Sequence, residues 1–193
     1  MINLKNITKS YNNNIVLNNF NLNINKLDKI GIIGVSGCGK TTLLNILLDL
    51  IKYDSGNITK DNDIKYSVVF QDDSLIETMD AISNIALIHN DLKDITKDTI
   101  IESLKCVGLN VNINKPVSEY SGGMKRRVAI VRALLAEYDL IVFDEPLKGL
   151  DKDTKQLTLN YIKNQVKDKT VIYITHDIKE LDELAVNKVI ELR

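Results

Sequence analysis

Gly34-Val35-Ser36-Gly37-Cys38-Gly39-Lys40-Thr41-Thr42 stands between the apolar run Lys29-Ile30-Gly31-Ile32-Ile33 and the apolar run Leu43-Leu44-Asn45-Ile46-Leu47-Leu48. The pattern G-x-x-x-x-G-K-[ST], placed after a strand and at the start of a helix, predicts a loop that wraps a phosphate chain. Successive backbone N–H groups must close on the phosphates, and side chains at Gly34, Gly37 or Gly39 would block that approach. The helix beginning beneath the loop adds partial positive charge. In such a cradle Lys40 reaches the β- and γ-phosphates and the Thr41 hydroxyl is placed to ligate Mg²⁺, while Ser36, Cys38 and Thr42 complete the wall. Kinases, GTPases, motor proteins and transport ATPases share this loop, so the rest of the chain has to discriminate among them.

The chain has 193 residues, enough for one large domain with its own core. Its 25 basic and 26 acidic side chains nearly balance, which argues against a nucleic-acid partner. Cys38 and Cys106 are far apart and lack metal-ligand spacing, a usage that suits a reducing compartment. The N-terminal residues show no export signal, and the apolar runs fall well short of the ~20 residues of a membrane span. Any work at a membrane therefore needs spans supplied by another chain.

Alternating apolar residues and Asn-rich turns predict short strands over 2–7, 15–17, 20–24 and 29–33, an antiparallel sheet ahead of the phosphate loop. Tyr11 falls in the turn between the first two, where an aromatic face could stack on a base; alone it would be an ordinary surface tyrosine. A helix is expected over about 40–51, a turn over 53–57, and a strand over 64–70 that ends at Gln71. Residues 78–108 carry helical spacing, with Met79, Ile82, Ile85 and Ala86 followed by Ile100, Ile101, Leu104 and Val107, and Gly108 as the stop. His89, beside Asn90 and Asp91, reads as a solvated helix-end residue, and 109–119 as a loop around Pro116. Ser121-Gly122-Gly123 then opens a second helix, with the serine hydroxyl in the capping position.

Leu140-Ile141-Val142-Phe143-Asp144-Glu145 reads as a buried strand with two carboxylates at its end, in the crevice where parallel sheets bind ligands. There Asp144 can hold Mg²⁺ through water, and Glu145 can orient or deprotonate an attacking water. A helix is expected over 153–166, a buried strand over 170–175 ending at His176, and an edge strand over 188–192. The His176 N–H would point into the same crevice.

Taken in order, these motifs resemble the nucleotide-binding subunit of ATP-binding cassette (ABC) transporters along essentially the whole chain. The resemblance implies an α/β P-loop NTPase fold with a mostly parallel core sheet, an N-terminal antiparallel β subdomain and a helical subdomain. It implies a RecA-like core with the β subdomain over 1–71 and 138–193, and the helical subdomain over 72–137. Tyr11 looks like the adenine-stacking aromatic, and Gln71 like the glutamine that contacts Mg²⁺ and water and opens the segment facing the membrane subunit. Leu75, Ile76, Glu77, Thr78 and Met79 are the matching candidates in that segment. Ser121-Gly122-Gly123 looks like the signature that binds the ATP of an opposite subunit, Asp144 and Glu145 like the magnesium aspartate and catalytic glutamate, Asp151 like the loop aspartate across the dimer, and His176 like the switch histidine.

The implied cofactors are ATP and Mg²⁺, and the implied partners are a second cassette, in a homodimer or heterodimer, and integral membrane permease subunits. The implied location is cytoplasmic, on the inner face of the cell membrane through the permease. Tyr120 and Met124 replace the usual Leu and Gln of the signature, and Lys148-Gly149 replaces the small residues common before the loop aspartate. The runs around Ser121 and Gln71 look most similar to bacterial importers of the nitrate, sulfonate and taurine type. Relatives that act on DNA or the ribosome are disfavoured: the segment from Gln71 to Ser121 is too short for a coiled coil, and the chain carries one cassette. A nucleotide sensor without turnover is disfavoured by the presence of both Glu145 and His176.

Overall fold

The period-two pattern of Ile2 and Leu4 builds a hairpin of β1 (Ile2–Tyr11) and β2 (Asn14–Ile24), in register Ile2↔Ile24 and Leu4↔Leu22. The computed structural model describes residues 1–12, 14–89, 95–110 and 115–192. The separate strands expected over 15–17 and 20–24 are one: Asn18-Asn19, whose composition reads as a turn, is absorbed as an irregularity with Asn19 at φ 46°. A third strand, β4 (Ser55–Lys60), pairs antiparallel with β1 through Leu4↔Ile58, where the sequence predicts only a turn over 53–57. Its single apolar residue, Ile58, accounts for the difference, since its strand conformation comes from pairing rather than from its own pattern.

The second sheet is parallel, in the order β5 (Tyr66–Val69), β6 (Leu140–Asp144), β7 (Thr170–Ile174), β3 (Lys29–Gly34), β8 (Lys188–Leu192). β3 therefore belongs with this sheet and not with the antiparallel one before it. Alternation along β6 divides the interior. Leu140 and Val142 join Ile30, Ile172, the helix α1 (Lys40–Leu47) and the inner face of the antiparallel sheet in one apolar cluster. Ile141 and Phe143 join Val171 and Tyr173 in another, with residues of α3 (Lys97–Cys106), α4 (Gly122–Leu135) and α5 (Lys152–Gln165). Each fully buried aliphatic or aromatic side chain contributes about 2 kcal/mol, so the sheet is held from both faces.

The short helices α2 (Ala81–Ala86) and α6 (Ile178–Glu183) complete the set. α1 ends before the expected residue 51, because the Lys60 ammonium donates to the Leu47 carbonyl at 2.6 Å and to Asp49 at 2.5 Å while Asp49 turns left-handed at φ 58°. Gly108, at φ 73°, stops α3 as expected. The loop expected over 109–119 contains a short 3₁₀ turn at Val117–Glu119, and its residues 111–114 lie outside the described residues. His89 is half-buried rather than solvated, and its neighbours Asn90 and Asp91 also lie outside them.

Candidate functional site

β3, β6 and β7 deliver their carboxyl ends side by side, at the edge where an open parallel sheet receives a ligand. From β3 the chain enters the glycine-rich loop. A Cβ at Gly34 would stand 2.5 Å from the Leu192 carbonyl of β8. Gly39, at φ 101°, caps α1 and would collide with Val16 of β2 at 2.7 Å. Both positions exclude side chains for reasons of space, which presses the loop against the two sheets. No side chain caps α1, so its first N–H groups are turned toward the loop. The Lys40 ammonium lies inside the turn, donating to the Gly34 carbonyl at 2.7 Å and the Val35 carbonyl at 2.8 Å, with Cys38 Sγ 3.8 Å away. Ser36 and Thr41 are exposed, and Thr42 is half-buried. Tyr11 sits at the tip of the hairpin whose Val16 packs on Gly39, 46% exposed, with the Lys9 ammonium 5.2 Å from its ring centre.

From β6 come the two carboxylates. Asp144 is 5% exposed, and burial, followed by the Glu145 charge, pushes its carboxyl up against the pull of Lys40, Arg126 and Lys148. Glu145 takes a left-handed φ of 47°, unusual for a residue with a side chain, and its N–H donates to the Ile174 carbonyl of β7 at 2.9 Å. Burial disfavours its charge, but the Lys148 ammonium at 2.6 Å and His176, with Nδ1 at 3.6 Å, outweigh it and hold the carboxyl below the usual range. His176 follows β7 and is exposed. Behind it the buried Glu180 accepts from Tyr173 Oη at 3.0 Å and Thr175 Oγ1 at 2.9 Å, and pairs with Lys155 at 2.7 Å.

The remaining residues lie in two further groups. Ser121 caps α4, its Oγ accepting from the Met124 N–H at 3.3 Å, as its position in the sequence predicts. A Cβ on Gly123 would stand 3.2 Å from Leu150, the residue before Asp151, while Gly122 is open on that side. Asp151 caps α5 by accepting from the Thr154 N–H at 3.0 Å. Among the described residues, no hydrogen bond or ion pair joins Ser121 to the phosphate loop or to Asp144. Gln71 is exposed just beyond β5, and the residues around it are tied to α4. The Arg126 guanidinium donates to the Phe70 carbonyl at 2.5 Å and to the Gln71 carbonyl and pairs with Asp73 at 3.2 Å, while Arg132 donates to the carbonyls of Asp73 and Ser74. Sequence reading misses Arg126, for which the signal is an arginine inside the apolar face of a helix. The buried Asn84 similarly braces Ile76, accepting from its N–H at 2.8 Å and donating to its carbonyl at 3.0 Å.

Thr41, Asp144 and Gln71 offer a hydroxyl, a carboxylate and an amide oxygen, a hard donor set that fits Mg²⁺. Among the described residues no group of three or more His, Cys, Asp or Glu is placed to hold a metal ion.

A phosphate cradle facing an Asp-Glu pair at the carboxyl ends of a parallel sheet defines a P-loop nucleotide-binding domain. The chain belongs to the ABC transporter family, whose model matches residues 17–148. Similar curated proteins are the spermidine/putrescine import ATP-binding proteins PotA of Borrelia garinii subsp. bavariensis and Borreliella afzelii, each 36% identical over 197 residues, covering 93% of this chain and 56% of theirs. That of Mycoplasma capricolum subsp. capricolum is 32% identical over 194 residues, 93% of this chain and 55% of its own. The chain thus spans about half the length of these relatives, and none of them bears a nitrate, sulfonate or taurine name. Among solved structures, the ATP-binding cassette MJ0796 in a dimeric post-hydrolysis state with ADP and Pi superposes with a TM-score of 0.83 at 30% identity, over 100% of this chain and 94% of that one. A second dimeric structure of MJ0796, described as a bacterial ABC transporter cassette, matches with the same TM-score at 31% identity.

Proposed function

We propose that the chain binds and hydrolyses ATP as the cassette subunit of an importer, working as one of a pair and driving a separate membrane permease. The observation that carries this reading is the meeting of Lys40, Asp144, Glu145 and His176 at the ends of three adjacent strands. In it, residues 34–42 wrap the triphosphate, Lys40 turns from the loop carbonyls to the outer phosphates, and Tyr11 stacks on the base. Thr41, Gln71 and Asp144 hold Mg²⁺, which supplies charge neutralisation on the phosphates. Glu145 accepts the proton of the attacking water, and His176 donates to the γ-phosphate.

Ser121, Gly122, Gly123 and Asp151 serve the nucleotide of the partner cassette, which accords with the exposure of Ser121, Gly122 and Asp151 and with the dimeric state of the MJ0796 structures. The division into a core over 1–71 and 138–193 and a helical subdomain over 72–137 is part of the same reading, with Leu75 to Met79 turned to the permease. Among the described residues no helix is long and apolar enough to cross a membrane, so attachment at the inner face is assigned to the permease. The polyamines belong to the relatives' names and the nitrate, sulfonate and taurine to the sequence resemblance, and none of these solutes is assigned to this chain.

Phosphate release from Mg·ATP by the purified chain tests the reading. Glu145→Gln is expected to lower kcat by at least about a hundredfold while calorimetry still registers ATP binding, and Lys40→Ala to lose that binding. Unchanged hydrolysis in the first or retained affinity in the second refutes the assigned roles.

A further inference from the structure

The turn after β6 carries a lysine that the reading above does not use. Leu147-Lys148-Gly149-Leu150-Asp151 doubles back on itself: the Lys148 N–H donates to the Glu145 carbonyl at 3.2 Å, the Leu150 N–H donates to the Leu147 carbonyl at 3.3 Å, and Gly149 reverses the chain at φ 79°. This fold brings Lys148 Nζ to 2.6 Å from Glu145 Oε2, while Oε1 faces His176 Nδ1 at 3.6 Å. Both carboxylate oxygens are therefore turned to nitrogen. The Glu145 backbone is pinned to β7 by its N–H bond to the Ile174 carbonyl at 2.9 Å, which fixes where the side chain starts. Lys148 is less confined: its side chain is 52% exposed, and a cavity of about 180 Å³ lined by Glu145, Lys148, Lys155, Thr175 and His176 adjoins it.

We propose that Lys148 is a latch on Glu145, a positioning residue that occupies the carboxylate oxygen needed for water and restrains hydrolysis until the turn 147–151 shifts and withdraws it. This inference rests on Glu145 being the proton acceptor. An oxygen paired at 2.6 Å with an ammonium has a cation beside it that lowers its basicity, and it competes poorly for a water proton. The displacing event is placed by the same turn. Leu150 at its far end lies by Gly123 and leads into Asp151, both of them assigned to the second cassette's nucleotide, so closure of the pair bears directly on the segment that holds the lysine.

The test uses the full chain, following phosphate release across ATP concentrations for the wild type, Lys148→Ser, Lys148→Gln, Lys148→Arg, Glu145→Gln and the double variant Glu145→Gln/Lys148→Ser. Lys148→Ser and Lys148→Gln are expected to raise kcat roughly two- to fivefold, the range one partly exposed ion pair supplies, with KM unchanged. Lys148→Arg, which keeps a cation within reach, is expected to return kcat toward the wild-type value. The double variant is expected to be no faster than Glu145→Gln. A kcat at or below wild type in both neutral variants overturns the latch, and so does a rise that persists in the Glu145→Gln background. Wild-type turnover in Glu145→Gln alone instead removes the proton-acceptor role itself, which separates failure of that reading from failure of the latch.

Discussion

Arg126, in the first turns of α4, donates through its guanidinium to the backbone carbonyl of Gln71. Because Ser121 caps the same helix, one rigid element connects the segment beyond β5 to the residues assigned to the partner's nucleotide. The arginine is 7% exposed and also serves the Phe70 carbonyl and Asp73, so its loss strands several acceptors at once.

Arg126→Met is expected to lower stability by about 1–3 kcal/mol and to reduce kcat more than ATP affinity, because Gln71 loses its anchor while the phosphate loop keeps its own. Urea melts and steady-state kinetics measure the two effects. Equal loss of kcat and affinity contradicts the assignment.

Ser121 is exposed at a helix start, with its hydroxyl bonded to the Met124 N–H. In the hydrolysis-blocked Glu145→Gln background, Mg·ATP is expected to convert the chain from monomer to dimer by light scattering. Adding Ser121→Glu, which places a negative charge against the partner's triphosphate, should prevent that conversion while ATP binding by the monomer persists. Dimerisation undiminished by the glutamate counts against the shared site.

Lys155 pairs with Asp177 and Glu180, both at 2.7 Å, beneath the His176 loop. The Lys155 hydrogen bond is the main reason the Asp177 carboxyl is held below its ordinary value of 3.8. A depressed folded value gives stability that is complete above the unfolded value and is lost as pH falls through the folded one. Lys155→Met is therefore expected to cost about 1–3 kcal/mol at neutral pH, with the buried Glu180 losing its counter-charge as well. The gap from wild type should narrow below about pH 4. Thermal melts across that range measure it, and a gap independent of pH rules out the ionic origin.

Legibility in the sequence follows the physics of each element. The phosphate loop, the capping Ser121 and the apolar strands β6 and β7 are local patterns, visible because few alternative structures need such glycine spacing or can bury such unbroken apolar runs. β4 is hidden because its polar composition matches a turn, and its partner Leu4 is remote in the chain. The periodicity of α1 overshoots its true end because the group that stops it, Lys60, comes from a different strand. Arg126 and Lys155 escape notice because helical periodicity assigns a cation to solvent, and Lys148 stands out only as a departure before the loop aspartate, not as a partner of Glu145. The partners of Arg126 and Lys155 emerge only when the fold brings Gln71 and Glu180 close, and that of Lys148 only when the turn after β6 folds back on Glu145.

The left-handed backbone at Glu145 has an engineering consequence. A side chain held at φ 47° forgoes about 1 kcal/mol that glycine or asparagine would recover there. A screen that selects only for heat resistance is thus drawn to substitute this position, and the sturdier proteins it yields would lack the carboxylate proposed to take the water proton. Hardening this cassette requires retaining an uncomfortable residue and seeking gains elsewhere.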